Sequence, residues 1–414
     1  MADRRVVVVG GGAAGLMAAG QAALGGAETL LLEKMQRPGR KICITGKGRC
    51  NITNVAQLHD FINHFGPTGR FLHQAFSRFF APELMDFFTE IGLDLVTERG
   101  GRVFPASGKA PDVLAVFLAW LKRCGVRVKK AAVVDSLVIS DGRISGVICH
   151  GGKIPCDAVI LATGGASYPA TGSTGDGYRL AASAGHVIVP VRPALVPLET
   201  SGTAAAEMAG LNLRNVGVRM LVDGKKRRQA FGEMVFTKFG LTGPVILTLS
   251  GEAVDAVHAG HEVVLAVDLK PALDEQKLDA RLLRDFAARS KEELGSVLRG
   301  LLPREMVPVC LRHAGIPASC PAGQVSAQQR RRLRTWLKDF RLQVTGHRPF
   351  SEAIITAGGV DTREVDPRTM ESRKTKGLFI VGELLDIQAD TGGYNLQAAF
   401  STGWLAGRCA AKRY

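Results

Sequence analysis

Near its start the chain carries RRVVVVGGGAAGLMAAGQAALGGAETLLLEK, and this stretch constrains the fold more than any other. Val6–Val9 is an unbroken β-branched run, the pattern of a strand covered on both faces. Gly10-x-Gly12-x-x-Gly15 follows directly. From Ala13 to about Leu24 the residues suit a helix and are mostly small, with Ala14, Ala18 and Ala22 on one stripe. Residues 29–33, TLLLE, predict the second strand of a βαβ unit. In such a unit the first glycine makes the tight turn, the second admits a pyrophosphate against backbone N–H groups, and the third lets helix and strand pack closely. The helix N-terminus supplies a positive dipole end. Glu33, 18 residues beyond Gly15, can hold both hydroxyls of a ribose, which favours the unphosphorylated ribose of FAD or NAD. A glycine pattern alone is weak evidence; in this context it predicts dinucleotide binding.

A chain of 414 residues predicts two or three domains. Residues 57–125 alternate helical patterns with loops, and short strand-like runs over 126–163 suggest a small antiparallel layer that returns to the main sheet at Ala158–Ala162. Residues from about 190 to 265 read as β-structure with turns, among them Thr242-Gly243-Pro244, and 273–340 read as helical and strongly basic. KGLFIVGELLD is a buried strand running into a turn, and Asn395–Ala411 is a final helix. The predicted class is α/β, a cofactor domain split by an insert. Its first part covers 1–190 and its second 349–414; the insert, 191–348, is β-rich at about 191–268 and 341–348 and helical at about 269–340.

The composition excludes several classes. The apolar N-terminus is broken by glycines and leads to Glu33, which argues against a signal peptide or a membrane span. Eight cysteines with no CxxC and no paired Cys/His spacing argue against a zinc site and a secreted disulfide framework, and suit a reducing cytoplasm. His59, His64 and His73 are spaced by five and nine, which puts them on no common helix face, so no metal site is expected. The net charge of +15 favours anionic partners; a basic solvated surface is the simpler reading, and a nucleic-acid footprint is disfavoured. Oligomeric state is open.

GRKICITGKGRCNITN, residues 39–54, has three glycines and four arginines or lysines, which suits an anion. It is not a P-loop, because Lys47 is followed by Gly48 where Ser or Thr should ligate magnesium. It reads as a loop that wraps a pyrophosphate and reaches toward a flavin, with Gly48 and Cys50 beside the cofactor. Two later stretches add contacts. LATGGASYPATGSTGDG, 161–177, brings Thr163, Gly164 and Gly165 straight after a buried strand. The segment 377–407 delivers Gly382-Glu383, then a Gly-Gly turn ending at Gly393 opens a helix at Tyr394. That helix start would aim N–H groups at the electron-rich N1–C2=O side of a flavin ring. Ala399, Gly403 and Gly407 are also spaced for close packing on a sheet.

Together with GRVFP, GEMVFTKFGLTGP, EAIITAGGV and TMES, these motifs resemble the BaiN/YhiN-like FAD-dependent oxidoreductases, in order from first strand to last helix. The resemblance implies a glutathione-reductase-type, Rossmann-like FAD domain, distantly similar to fumarate reductase and ketosteroid dehydrogenase flavoproteins. It also implies flavin contacts at Gly10, Gly12, Ala14, Gly15, Glu33, Lys34, Lys41, Thr45, Gly46, Arg49, Asn51, Val133, Thr163, Gly164, Glu383, Asn395 and Leu396.

The expected reaction is hydride transfer from NAD(P)H, bound transiently since one GxGxxG unit is present, through FAD to an electron-poor small molecule such as a conjugated enone. Lys47, Arg49 and Tyr394 are the catalytic candidates; the simpler reading of Lys47 and Arg49 is that they bind pyrophosphate or shape the loop. Two alternatives are an RNA- or tRNA-acting flavoprotein, motivated by RRRLRTWLKDF at 330–340, and an oxidase that passes electrons to oxygen. A Cys43–Cys50 redox pair is a further reading, weakened by the six residues between them.

Overall fold

A computed structural model describes residues 4–412. The chain forms two compact units: one runs to Pro193 and resumes at Ala353, the other spans Ala194–Glu352. In the first, the βαβ unit is β1 (Arg5–Val9), α1 (Ala13–Leu24) and β2 (Glu28–Leu32). Further along come α2 (Arg40–Gly48), α3 (Ala110–Arg123), β3 (Arg127–Lys129), β4 (Ala158–Leu161), β5 (Leu378–Ile380) and α4 (Tyr394–Ala410). The five strands form a parallel sheet in the order β5-β4-β1-β2-β3. Val6–Val8, Leu31 and Val159–Leu161 are buried, as strands covered on both faces require.

The register positions the site. Val9 lies opposite both Leu32 and Leu161, Leu161 opposite Ile380, and Leu32 opposite Lys129. The carboxyl ends of all five strands therefore reach one edge together, and the residues that follow them are delivered there. In open α/β sheets this is the edge that binds ligands.

Small residues set how closely the helices approach. A side chain at Gly403 would run into the Ala14 carbonyl, and one at Gly407 into that of Ala18. Glycine at these two positions thus permits the packing of α4 on α1. Gly20 accepts the Trp120 ring of α3 in the same way.

The turn Asp141-Gly142, with both residues at positive φ (52° and 70°), joins strands Val134–Ser140 and Arg143–Cys149 of a three-stranded antiparallel layer. In the second unit, six strands close a barrel in the order Leu198–Thr200, Gly240–Thr242, Lys225–Phe236, Asn212–Val222, Val263–Asp268 and Phe340–His347. Helices Glu275–Ala288, Leu294–Leu298, Met306–Ala314 and Ala327–Lys338 fill the interval between its last two strands.

Two local expectations need correcting. Residues Pro244–His258 form a helix, not β-structure with a turn. Proline suits the first helical position, where its missing N–H is no loss, and Val245, Ile246, Leu249, Ala253 and Val254 give the helix a buried stripe. The stretch read as a loop at 39–54 begins as helix α2, which is interrupted at Thr45, Gly46 and Lys47. Its Ile42 faces the core.

Candidate functional site

Gly10 leaves β1 with φ 103°, and a Cβ there would meet the Ala162 carbonyl. A Cβ at Gly15 would run into the Gly10 carbonyl oxygen. Gly12 differs: it starts α1 in extended conformation, and a Cβ there would meet nothing within 4 Å. Two of the three glycines thus serve the turn and the packing, and the middle one faces open space at a helix N-terminus. Ala14 is buried against α4.

Glu33 is buried and held by backbone: its Oε2 accepts from Gly11 N–H at 2.7 Å and its Oε1 from Met35 N–H at 2.7 Å. The Ala132 N–H donates to the Glu33 carbonyl at 2.9 Å, which places the following residue, Val133, near the acid. Val133 precedes its strand rather than lying in it, and its side chain is exposed. The Lys34 side chain is engaged: its Nζ lies on Asp176 Oδ2 at 2.5 Å and on Thr174.

At the ends of β4 and β5 the chain builds a polar cluster. Lys41 Nζ donates to Glu383 Oε2 at 2.8 Å and to Ser167 Oγ at 2.5 Å. Glu383 Oε1 also accepts from Ser167 Oγ at 2.9 Å and from the Thr356 N–H at 2.8 Å. Gly165 is squeezed against the Thr356 side chain, and Gly164 (φ 73°) approaches Ser173 and Glu383. Thr163 packs its hydroxyl against Gly177. Gly382 (φ 67°) donates to Thr402 Oγ1 at 3.1 Å. Ser167 and Thr356 were not singled out from sequence. Thr356 lies within the quoted EAIITAGGV, yet nothing in that run marks the hydroxyl as a partner of an acid 27 residues away.

The interrupted end of α2 and the residues just beyond it are unusual in their backbone. Gly46, Lys47, Gly48 and Cys50 all have positive φ (57°, 57°, 83° and 60°), a conformation costly for the lysine and the cysteine. It leaves Lys47 exposed at the tip. Thr45 bonds its hydroxyl to the Ile42 carbonyl at 2.7 Å. The Asn51 Oδ1 is buried and has no hydrogen-bond partner, a state that normally calls for a donor from elsewhere. Arg49 is engaged: it pairs with both oxygens of Glu98, at 2.5 and 3.3 Å, and its guanidinium lies 4.3 Å from the Phe104 ring centroid. The Arg49 hydrogen bond holds the Glu98 carboxyl below its ordinary range.

Gly393 precedes α4 at φ 101°, pressed against the Thr53 carbonyl. Tyr394 is buried, stacks on His64 with centroids 3.9 Å apart, and meets Phe61 edge-on at 4.7 Å. Burial, with Asp390 adding to it, pushes its phenol up, so it stays protonated. His64, considered from sequence only as a metal ligand and set aside, packs on a candidate residue, and its Nδ1 lies 3.3 Å from Asp390 Oδ2. Asn395 braces the preceding loop: Oδ1 accepts from Ala389 N–H and Nδ2 donates to the Ala389 carbonyl, both at 2.9 Å. Leu396 packs on the core.

All eight cysteines are free. Burial pushes the Cys50 thiol up to about 12 and raises Cys43 as well, so neither is a ready thiolate. Iodoacetamide at pH 8 is therefore expected to leave Cys50 unlabelled in the folded chain and to label it in urea, as read by peptide mass; rapid native labelling would contradict the burial argument. Among the described residues no three His, Cys, Asp or Glu side chains gather as a metal site, and no helix is long and apolar enough to cross a membrane.

Helix N-terminus, glycine turn and acid meet at one sheet edge, and together they make a nucleotide-binding site of the Rossmann type. The chain belongs to the HI0933-like protein Rossmann domain family, whose model matches residues 4–409. It is 34% identical over 99% of its length to a 3-dehydro-bile acid delta(4,6)-reductase of Clostridium scindens, 99% of which is covered. It is 29% identical to a ribosomal RNA dihydrouridine synthase of Escherichia coli, with 96% of each chain covered. Among solved structures, the 3-ketosteroid delta1-dehydrogenase of Sterolibacterium denitrificans superposes with a TM-score of 0.54 at 14% identity, over 99% of this chain and 100% of that one, a likeness of fold.

Proposed function

We propose that the chain is an FAD-dependent reductase that uses NAD(P)H to saturate a carbon–carbon double bond conjugated to a carbonyl. The carrying observation is the open face at Gly12, at the N-terminus of α1 and beside Glu33. The orphaned Asn51 Oδ1 supports the same cofactor, since a flavin N–H would satisfy it. Held by Gly12, the first amides of α1 and Glu33, FAD would supply the hydride-transfer chemistry that links the nicotinamide to the acceptor.

The chain's own residues would do the rest. Gly12 and the first amides of α1 bind phosphate. Glu33 exchanges a backbone donor for ribose hydroxyls. The Lys41–Glu383 pair and Asn395 hold the ends of β5 and α4 in place. Lys47 is exposed and can meet an anionic or carbonyl oxygen, whereas Arg49 must loosen from Glu98 before it can. Tyr394, protonated and fixed against His64, can donate a proton and not accept one. The two whole-length relatives carry names with different substrates, yet both describe hydrogen added across a double bond. Eight free cysteines suit a reducing cytoplasm.

The test is anaerobic stopped-flow reduction of the purified yellow protein by NADH and by NADPH, followed by reoxidation with enones, quinones and oxygen. Rapid reoxidation by an enone is the expected result; oxygen alone reoxidising it would make the chain an oxidase. A colourless protein that ignores added FAD would remove the flavin reading altogether.

A second reading, reduction of a base in RNA, draws on the +15 charge and on the E. coli relative's name. On helix Ala327–Lys338, Arg330 and Arg334 are taken up by Asp279, while Arg331 and Arg332 are exposed. Ribosomal RNA retained at physiological salt, with dihydrouridine formed, would favour it over a small-molecule acceptor.

A further inference from the structure

Within the second unit, helix Pro244–His258 ends on a histidine beside His347, the last residue of the barrel strand Phe340–His347. The two Nε2 atoms face each other at 3.1 Å, with ring centroids 5.1 Å apart and planes at 70°. His347 Nδ1 lies 2.9 Å from the Arg348 carbonyl, which can only accept, so Nδ1 carries the proton and Nε2 presents its lone pair. Two imidazole nitrogens this close need either one proton or one cation between them.

We propose that His258 and His347 form a two-histidine site for a divalent transition ion of the zinc or nickel type, with water filling the remaining positions. A metal–nitrogen bond of about 2.1 Å and the observed separation give an angle of about 95° at the ion, close to that of adjacent ligands in ordinary coordination. The carbonyl on His347 Nδ1 is the outer-shell partner that orients ligating histidines. Arg348, the nearest cation in sequence, is neutralised by Glu199 and Glu352, at 2.9 and 2.7 Å. The pair is at the surface, so water can enter, and no third protein ligand joins it among the described residues. Affinity is therefore modest, and metal would clamp the helix end to the barrel.

The experiment is calorimetric titration of the full-length protein with nickel and, separately, zinc at pH 8, against H258Q, H347Q and the double variant. One site in the native chain, weakened at least tenfold in each single variant, is expected, because both nitrogens are needed. Metal should raise the melting temperature of the native chain and not of the double variant. A double variant that folds, melts as the native chain does without metal, and still binds nickel or zinc with unchanged affinity would overturn the site. Failure of flavin reduction leaves this result untouched, since neither histidine belongs to the cofactor edge.

Discussion

Replacing Gly12 with aspartate is expected to yield a folded protein that purifies without flavin. The backbone at Gly12 is extended, with φ −81° and ψ −170°, a conformation open to any residue, and a Cβ there meets nothing within 4 Å. Gly12 is also the N-cap of α1, a position where aspartate is among the preferred residues. The apo-chain should therefore melt at or above the native apo temperature. A carboxylate about 5 Å from a phosphate at an effective dielectric near 20 costs about 3 kcal/mol, roughly a hundredfold in affinity. Flavin content by absorbance, with the melting curve, checks both halves. Gly15→Val makes the contrast: its side chain would strike the Gly10 carbonyl, so it should lose the fold itself. A yellow Gly12→Asp protein with full flavin would show that the phosphate is bound elsewhere.

Lys41→Met should be the most damaging single change among the charged residues of this edge. It leaves the largely buried Glu383 with its countercharge gone, although Ser167 and Thr356 still donate to it. Breaking such a pair from one side costs more than removing both charges. Allowing for the 22% and 21% exposure of the two side chains, we expect about 2 kcal/mol, or a fall of about 5 °C in melting temperature. The double variant Lys41→Met, Glu383→Leu should recover part of that loss. A double-mutant cycle with no coupling would mean that the pair contributes nothing. Flavin content measured on the same samples separates a folding effect from a binding one.

The βαβ unit was legible because each part is local. β-Branched residues, glycines at fixed offsets and an acid one strand later each have a meaning independent of the rest of the chain. The antiparallel layer was legible for the same reason, through short strand-like runs, two of which the structure joins at Asp141-Gly142. Helix Pro244–His258 was not, because Thr-Gly-Pro reads equally as a turn and as a helix start, and only the buried stripe against the barrel decides. Helix α2 was hidden by glycine content: its regular part is short, and Gly46 and Gly48 belong to the break that follows it.

For the site, sequence named residue types suited to an anion and a flavin, and the register of five strand ends explains how segments over 300 residues apart come to one edge. What it could not supply was which charges are already spent. Lys34 on Asp176, Arg49 on Glu98 and Lys41 on Glu383 are long-range pairs, and free-looking cations in a basic chain give no sign of their partners. Nor could spacing show that His64 stacks on Tyr394. Sequence by itself determined the nucleotide-binding class, because backbone geometry at a strand-to-helix turn is set within a few residues. Only the tertiary structure decided which polar groups remain open to a ligand, because that depends on distances between elements the chain brings together from its two ends.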